Sequence, residues 1–323
     1  MNLFTSSSNF TRTPKALLVF LALNAAAGLA VLAVPWTGAG WFLDFTIREA
    51  GRDPREILIL GDSKVFPFVE GYIDCPFFSG PAYAFAMDSA TVLFQRLWYD
   101  RLVRETGIKP KVVIYSTGAN NFNENGLHAL RDYTVRYVAE TGDLLDYWKM
   151  DGAFPYLVDA LLCRLYPIYG MRIEITHLMF RGYKPRQLDL SPVVRDPVAD
   201  ENYLLIYKRG VLASYQVSDF HMNNLVRWSE EIRAHGGELV VVDLPVTPEM
   251  REMELRECRE WDERIAAFSR ETGISYLDLR EHSELPFRDI NHLTNMGAKE
   301  VAERWLDPIA REILSRAETG INR

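Results

Sequence analysis

Cysteine is scarce in this chain: three among 323 residues, at Cys75, Cys163 and Cys258. They are far apart and show no CxxC or Cys/His spacing, which excludes a metal ribbon or redox pair of recognisable pattern. An odd number leaves at least one thiol unpaired, so no disulfide framework is expected, and three buried small hydrophobes is the simplest reading. An excess of positive charge is also missing, with 36 basic against 44 acidic side chains and a net charge of -8. That balance removes any electrostatic reason to expect nucleic acid as a partner. Low-complexity tracts and internal repeats are absent. A content of 48% hydrophobic and 25% charged residues is that of an ordinary folded chain, which excludes global disorder and solenoid arrays. The length suffices for one large core, or one core plus an insertion.

One long apolar run is present. Residues 16–36 begin ALLVFLALNAAAGLAVLAVP, without charge and with Asn24 as the strongly polar side chain. As a helix this spans a hydrocarbon core of about 30 Å. Arg12 and Lys15 precede it, and the next basic residue is Arg48. That asymmetry predicts a cytoplasmic tail over 1–15, a transmembrane anchor over 16–36, and everything beyond outside. Trp36 and Trp41 would then lie near the outer interface. A cleaved signal peptide competes, since small residues occur at Ala30 and Ala33. Its usual apolar core of roughly 7–15 residues is shorter than this run.

Residues 37–55 read as a linker. From Glu56 onward, short apolar runs alternate with amphipathic helical stretches, which predicts an α/β layer fold with a mostly parallel central sheet. ILIL at 57–60, KVVIYS at 111–116, LVVVDL at 239–244 and ISYLDL at 274–279 are strands, with a weaker one at 76–79. Helices are predicted over 89–106, 218–234, 249–271 and 295–316, the last capped by Thr294. The stretch 125–216 breaks this rhythm, being too long for a simple connection, and reads as an insertion over or beside the site. Its arginines and lysine (Arg181, Lys184, Arg186, Arg195) need be no more than a solvated surface. Residues 318–323 are a tail.

Three segments carry polar residues where strands end or the last helix opens. Gly61-Asp62-Ser63 follows the first strand, so the Ser63 hydroxyl stands at the C-terminal edge of the sheet beside a helix start. Gly118-Ala119-Asn120-Asn121 follows the second clear strand. An amide there could donate to a developing oxyanion, a contribution of about 2.7–4 kcal/mol to the barrier. Asp289-Ile290-Asn291-His292 precedes the last helix, so that His292 can act as base towards Ser63 while Asp289 holds its other nitrogen. Each segment alone is a common turn or cap. Their joint occurrence in this order gives them meaning.

Together the segments resemble the SGNH (GDSL-like) hydrolase superfamily over roughly residues 56–124 and 216–316. Gly61-Asp62-Ser63 is similar to its nucleophile block, Gly118-Ala119-Asn120 to its GxND block, and Asp289 with His292 to its DxxH block. The resemblance implies a three-layer α/β/α fold over 56–317. It also implies a Ser63–His292–Asp289 triad and an oxyanion hole from the Ser63 N–H, the Asn120 amide and a glycine matched to Gly80. Asn121 stands where the family has Asp, and Lys64 where leucine is usual, a position from which Lys64 could raise the positive potential near an oxyanion. No metal or organic cofactor is implied. A single anchor before an outward-facing domain of this kind looks like bacterial polymer O-acylation systems. That likeness suggests an acylated donor, a carbohydrate polymer acceptor and a multi-span membrane acyltransferase partner. A plain carbohydrate or lipid esterase, or a non-catalytic scaffold subunit, are the competing expectations.

Overall fold

The computed structural model describes residues 39–125 apart from 89, residues 185–319, and the isolated positions 15, 18–23, 26, 158 and 162. Most of the anchor expected at 16–36, the greater part of the insertion, and Cys163, His128 and His177 lie outside the described residues. Among the described residues no helix is long and apolar enough to cross a membrane.

Six strands form one sheet: β1 (Ile57–Gly61), β2 (Asp74–Cys75), β3 (Ala82–Ala86), β4 (Val112–Thr117), β5 (Glu238–Asp243) and β6 (Ser275–Asp278), in the spatial order β2-β3-β1-β4-β5-β6. All neighbouring pairs are parallel except β2 with β3. The first strand thus lies between the second and third parallel strands, and a chain that turns first one way and then the other opens a crevice at the strands' C-terminal ends.

Strand residues alternate between two apolar layers. Leu58, Leu60, Phe85, Tyr115 and Val241 enter one core, whereas Ile57, Ile59, Ala84, Ile114 and Val242 enter the other. Side chains two apart share a face of a strand, so near-continuous apolar runs mark strands covered on both sides. The first layer contains α1 (Ala39–Arg52), α2 (Val92–Thr106), α4 (Asp219–Ala234), α5 (Pro248–Glu257) and α6 (Arg259–Thr272). The second contains α7 (Asn295–Val301) and α8 (Asp307–Thr319), joined by a wider turn at Ala302–Leu306. One helix, α3 (Pro197–Ile206), belongs to the described end of the insertion.

Several expectations are corrected. The linker at 37–55 is mostly α1, which buries Phe42, Leu43, Ile47 and Ala50 against the sheet layer. Its apolar residues recur three and four apart, and a helix with such a stripe packs instead of spanning solvent. The weak strand at 76–79 is displaced to Ala82–Ala86, whose sequence AYAFA is poor in β-branched residues and so gives little strand signal. The helix expected over 249–271 breaks at Cys258 into α5 and α6. Cys75 and Cys258 are buried free thiols, and burial pushes the Cys75 thiol up to about 12, far from a reactive thiolate.

Candidate active site

The site is assembled from three consecutive strand ends and the loop before α7. Beyond β1 the chain turns into a short 3-10 helix, Ser63–Phe68, capped by Asp62. One Asp62 oxygen accepts the Lys64 N–H at 3.0 Å. Gly61 is needed for closeness, not for an unusual backbone angle: a Cβ there would lie 2.5 Å from Val65 Cγ2 and 2.9 Å from the Ser116 carbonyl. The turn therefore packs directly on the neighbouring strand, and Ser63 is held at the sheet edge.

Three and four residues after β4, Asn120 and Asn121 both reach Asp62. Their Nδ2 atoms donate to its second oxygen at 3.2 and 3.1 Å, and Asn121 Nδ2 also donates to the Ala90 carbonyl at 3.0 Å. A carboxylate only accepts, so the amide end of Asn120 is identified as the one facing Asp62. One of its two amide hydrogens is used there, leaving one for another acceptor. Gly118 is again a matter of space, since a Cβ would stand 2.7 Å from Asn120 Oδ1 and 3.0 Å from Lys64 Nζ.

His292 Nε2 lies 2.8 Å from Ser63 Oγ, and its Nδ1 lies 2.9 Å from each Asp289 oxygen. Asp289 Oδ1 also accepts the backbone N–H groups of Asn291 and His292, both at 2.9 Å. Burial alone would raise the Asp289 pKa. The His292 ring and those two N–H groups outweigh it and hold the carboxyl below its usual range. Asp289 is therefore a carboxylate that fixes the imidazole with Nδ1 as donor and Nε2 turned to the serine. The loop is itself anchored: Arg288 N–H donates to the His292 carbonyl at 2.8 Å, and Thr294 caps α7 through the Gly297 N–H. Asn295 Nδ2 donates to the Pro67 carbonyl at 2.7 Å, tying the start of α7 to the turn that carries Ser63.

The structure thus brings Ser63, His292 and Asp289 into one hydrogen-bonded line and sets Asn120 beside Asp62. It does not bring Gly80 to them. Ala82 pairs with Ile57, the first residue of β1, so Gly80 lies before the strands begin, at the opposite edge. A five-residue strand separates the two edges by roughly 15 Å. There Ser79, next to Gly80, bonds Asp307 of α8. The backbone after β3 that does lie at the edge carrying Ser63 begins at Met87, whose N–H donates to the Gly61 carbonyl at 3.2 Å.

Sequence reasoning also missed Tyr203 of α3. Its ring meets the His292 ring edge to face, with centroids 6.3 Å apart at 84°, and stacks on Tyr207. The insertion's described end therefore walls the histidine. Arg186, also in the described end of the insertion, pairs through its backbone with Gly71 and lies over the Phe66 ring, 3.6 Å from its centroid. No local pattern announces either contact.

No family model matches the chain, and no curated protein matches it. Among solved structures it is similar to a GDSL-like lipase from Bacteroides thetaiotaomicron, with a TM-score of 0.42 and 12% identity over 84% of this chain and 98% of that one. A provisionally assigned acylhydrolase from Bacteroides fragilis gives a TM-score of 0.42 and 12% identity over 87% and 99% of the two chains. A carbohydrate acetylesterase family member from Sinorhizobium meliloti gives 0.32 and 11% over 80% and 99%.

Proposed function

We propose that this chain is a serine acyl-transfer enzyme working through an acyl-serine on Ser63. The observation that carries the reading is the 2.8 Å approach of His292 Nε2 to Ser63 Oγ, with Asp289 on the opposite ring nitrogen. His292 takes the hydroxyl proton as Ser63 Oγ attacks an ester carbonyl, and Asp289 stabilises the imidazolium that results. The tetrahedral oxyanion is met by the Ser63 N–H and the Asn120 amide. Gly80, at the opposite edge of the sheet, takes no part. Collapse expels the alcohol, protonated by His292, and leaves an acyl-serine that water or a sugar hydroxyl accepts. The scheme needs no metal or organic cofactor.

For the acceptor we propose a carbohydrate polymer outside the membrane, with acyl groups delivered by a multi-span acyltransferase. The apolar run at 16–36 supports this placement. So do the exposed helical side chains of Leu18, Val19, Leu21 and Leu23. Ser63→Ala in the full chain should abolish release of p-nitrophenol from p-nitrophenyl acetate without changing the circular dichroism spectrum. Retained turnover would refute the nucleophile. Polymer acyl content in a deletion strain then separates transfer from hydrolysis: a fall supports transfer, and a rise supports an esterase. Full complementation by Ser63→Ala would point to a scaffold.

A further inference from the structure

Lys64 follows the nucleophile yet does not face the crevice. It is 2% exposed, one of the largest fully buried side chains among the described residues. Its Nζ turns inward to Gly118, where a Cβ would lie 3.0 Å from Lys64 Nζ, 2.7 Å from Asn120 Oδ1 and 3.6 Å from Asp243 Oδ1. Three polar atoms thus crowd one glycine at the end of β4.

Lys64 Nζ makes no hydrogen bond among the described residues, so its compensation comes from the charges around it. Asp243 ends β5 and Glu254 lies on α5, at 0% and 2% exposure. Their nearest guanidinium is Arg280, which is 3.4 Å from Asp243 and 3.8 Å from Glu254. Arg280 gives its closest bonds elsewhere, to Asp278 and Asp262 at 2.6–2.8 Å. Burial pushes Glu254 up, and Lys64 supplies the largest of the charges that pull it back. Buried charges persist only when compensated.

The consequence concerns Asn120. Its Nδ2 faces the Asp62 carboxylate, while its Oδ1 and the Lys64 ammonium flank the same point at Gly118. Turning the amide over would set an oxygen against a carboxylate and an NH2 against a cation, so it is penalised at both ends. Asp62 also places a negative charge near the developing oxyanion, which a cation behind Asn120 offsets. We propose that Lys64 is a positioning residue for the oxyanion donor: its buried ammonium, set among the Asp243 and Glu254 carboxyls without bonding to them, fixes the orientation of the Asn120 amide and balances Asp62. This rests on the acyl-transfer reading above.

The test is a double-mutant cycle on p-nitrophenyl acetate hydrolysis by the full chain, using Lys64→Met, Asn120→Ala and both together. Lys64→Met should lower kcat at least about tenfold with KM within about twofold, as expected for loss of transition-state stabilisation. In the Asn120→Ala background the same change should alter kcat less than about threefold. Losses that multiply in full would overturn the proposal, because Lys64 would then act independently of Asn120. Stability gives a readout independent of turnover. Lys64→Met should lower the urea midpoint, and adding Glu254→Gln should restore part of it; an unchanged midpoint in Lys64→Met overturns the charge balance. If Lys64→Met does not fold, Lys64→Met with Glu254→Gln carries the cycle. A wild type without ester turnover would refute the acyl-transfer reading and the proposed role of Lys64 with it, whereas an unchanged midpoint refutes only the latter.

Discussion

Replacing Asp289 by Asn tests the triad without changing its shape. In the native site Asp289 Oδ1 accepts two backbone N–H groups and both oxygens reach His292 Nδ1. An asparagine has a single acceptor oxygen, and the two N–H groups claim it. Its NH2 then faces Nδ1, which must become the acceptor, so the ring proton moves to Nε2. Ser63 Oγ, 2.8 Å away, would meet an N–H in place of a base. The imidazolium formed in the transition state also loses its counter-charge. A tautomer error of this kind costs about 10⁴ in kcat in the trypsin-type triad, or about 5 kcal/mol of barrier. The assay is p-nitrophenyl acetate hydrolysis at neutral pH, with the urea midpoint as control. A native fold losing less than about tenfold in kcat would refute the assignment of Asp289 as the group that orients His292.

Asn120→Ala removes one oxyanion donor and should reduce kcat by about 10²–10³ with KM little changed; a KM effect alone would place Asn120 in ground-state binding. His221 supplies a pH prediction away from the site. It is 1% exposed, packs edge-on against Phe122 and Phe220, and burial pulls its pKa down from 6.5 to about 4. Between those values the unfolded chain binds a proton that the folded chain refuses. Its contribution is therefore present above pH 6.5 and is lost as pH falls towards 4, amounting to about 3 kcal/mol. Denaturant titrations across this range should show His221→Leu with a shallower acid loss than wild type, and parallel slopes would refute the assignment. The depressed carboxyl of Asp289 works in a separate window, losing its contribution only as pH falls below its ordinary 3.8.

How far the sequence was legible depends on the range of each signal. Strands β1, β4 and β5 announce themselves through apolar runs, because burial on both faces leaves no polar alternation, whereas β6 is a half-buried edge strand. β3 does not, because alanines fill its inner face opposite α7 and α8. With β3 at Ala82–Ala86 and not at 76–79, the glycine expected after that strand, Gly80, lies before it, on the opposite edge of the sheet. The triad was readable since each member sits on a strand end or a cap with local signatures. Tyr203 was not, because its meeting with His292 joins positions 89 residues apart through an insertion with no periodic cue.

Asn121 shows what a tripeptide conceals. Where the resembling family has Asp, this chain has an amide that donates to both Asp62 and the Ala90 carbonyl. A carboxylate in the same place would face Asp62 with two acceptors and no donor, at a buried site where like charges are costly. The substitution therefore suits this chain's own arrangement, in which Asp62 gathers Asn120, Asn121 and the Lys64 N–H. Asp62 is thus the hub that joins the Ser63 turn to the loop after β4. The meaning of Gly-Asp-Ser lies as much in its aspartate, which gathers the loop after β4, as in the serine beside it.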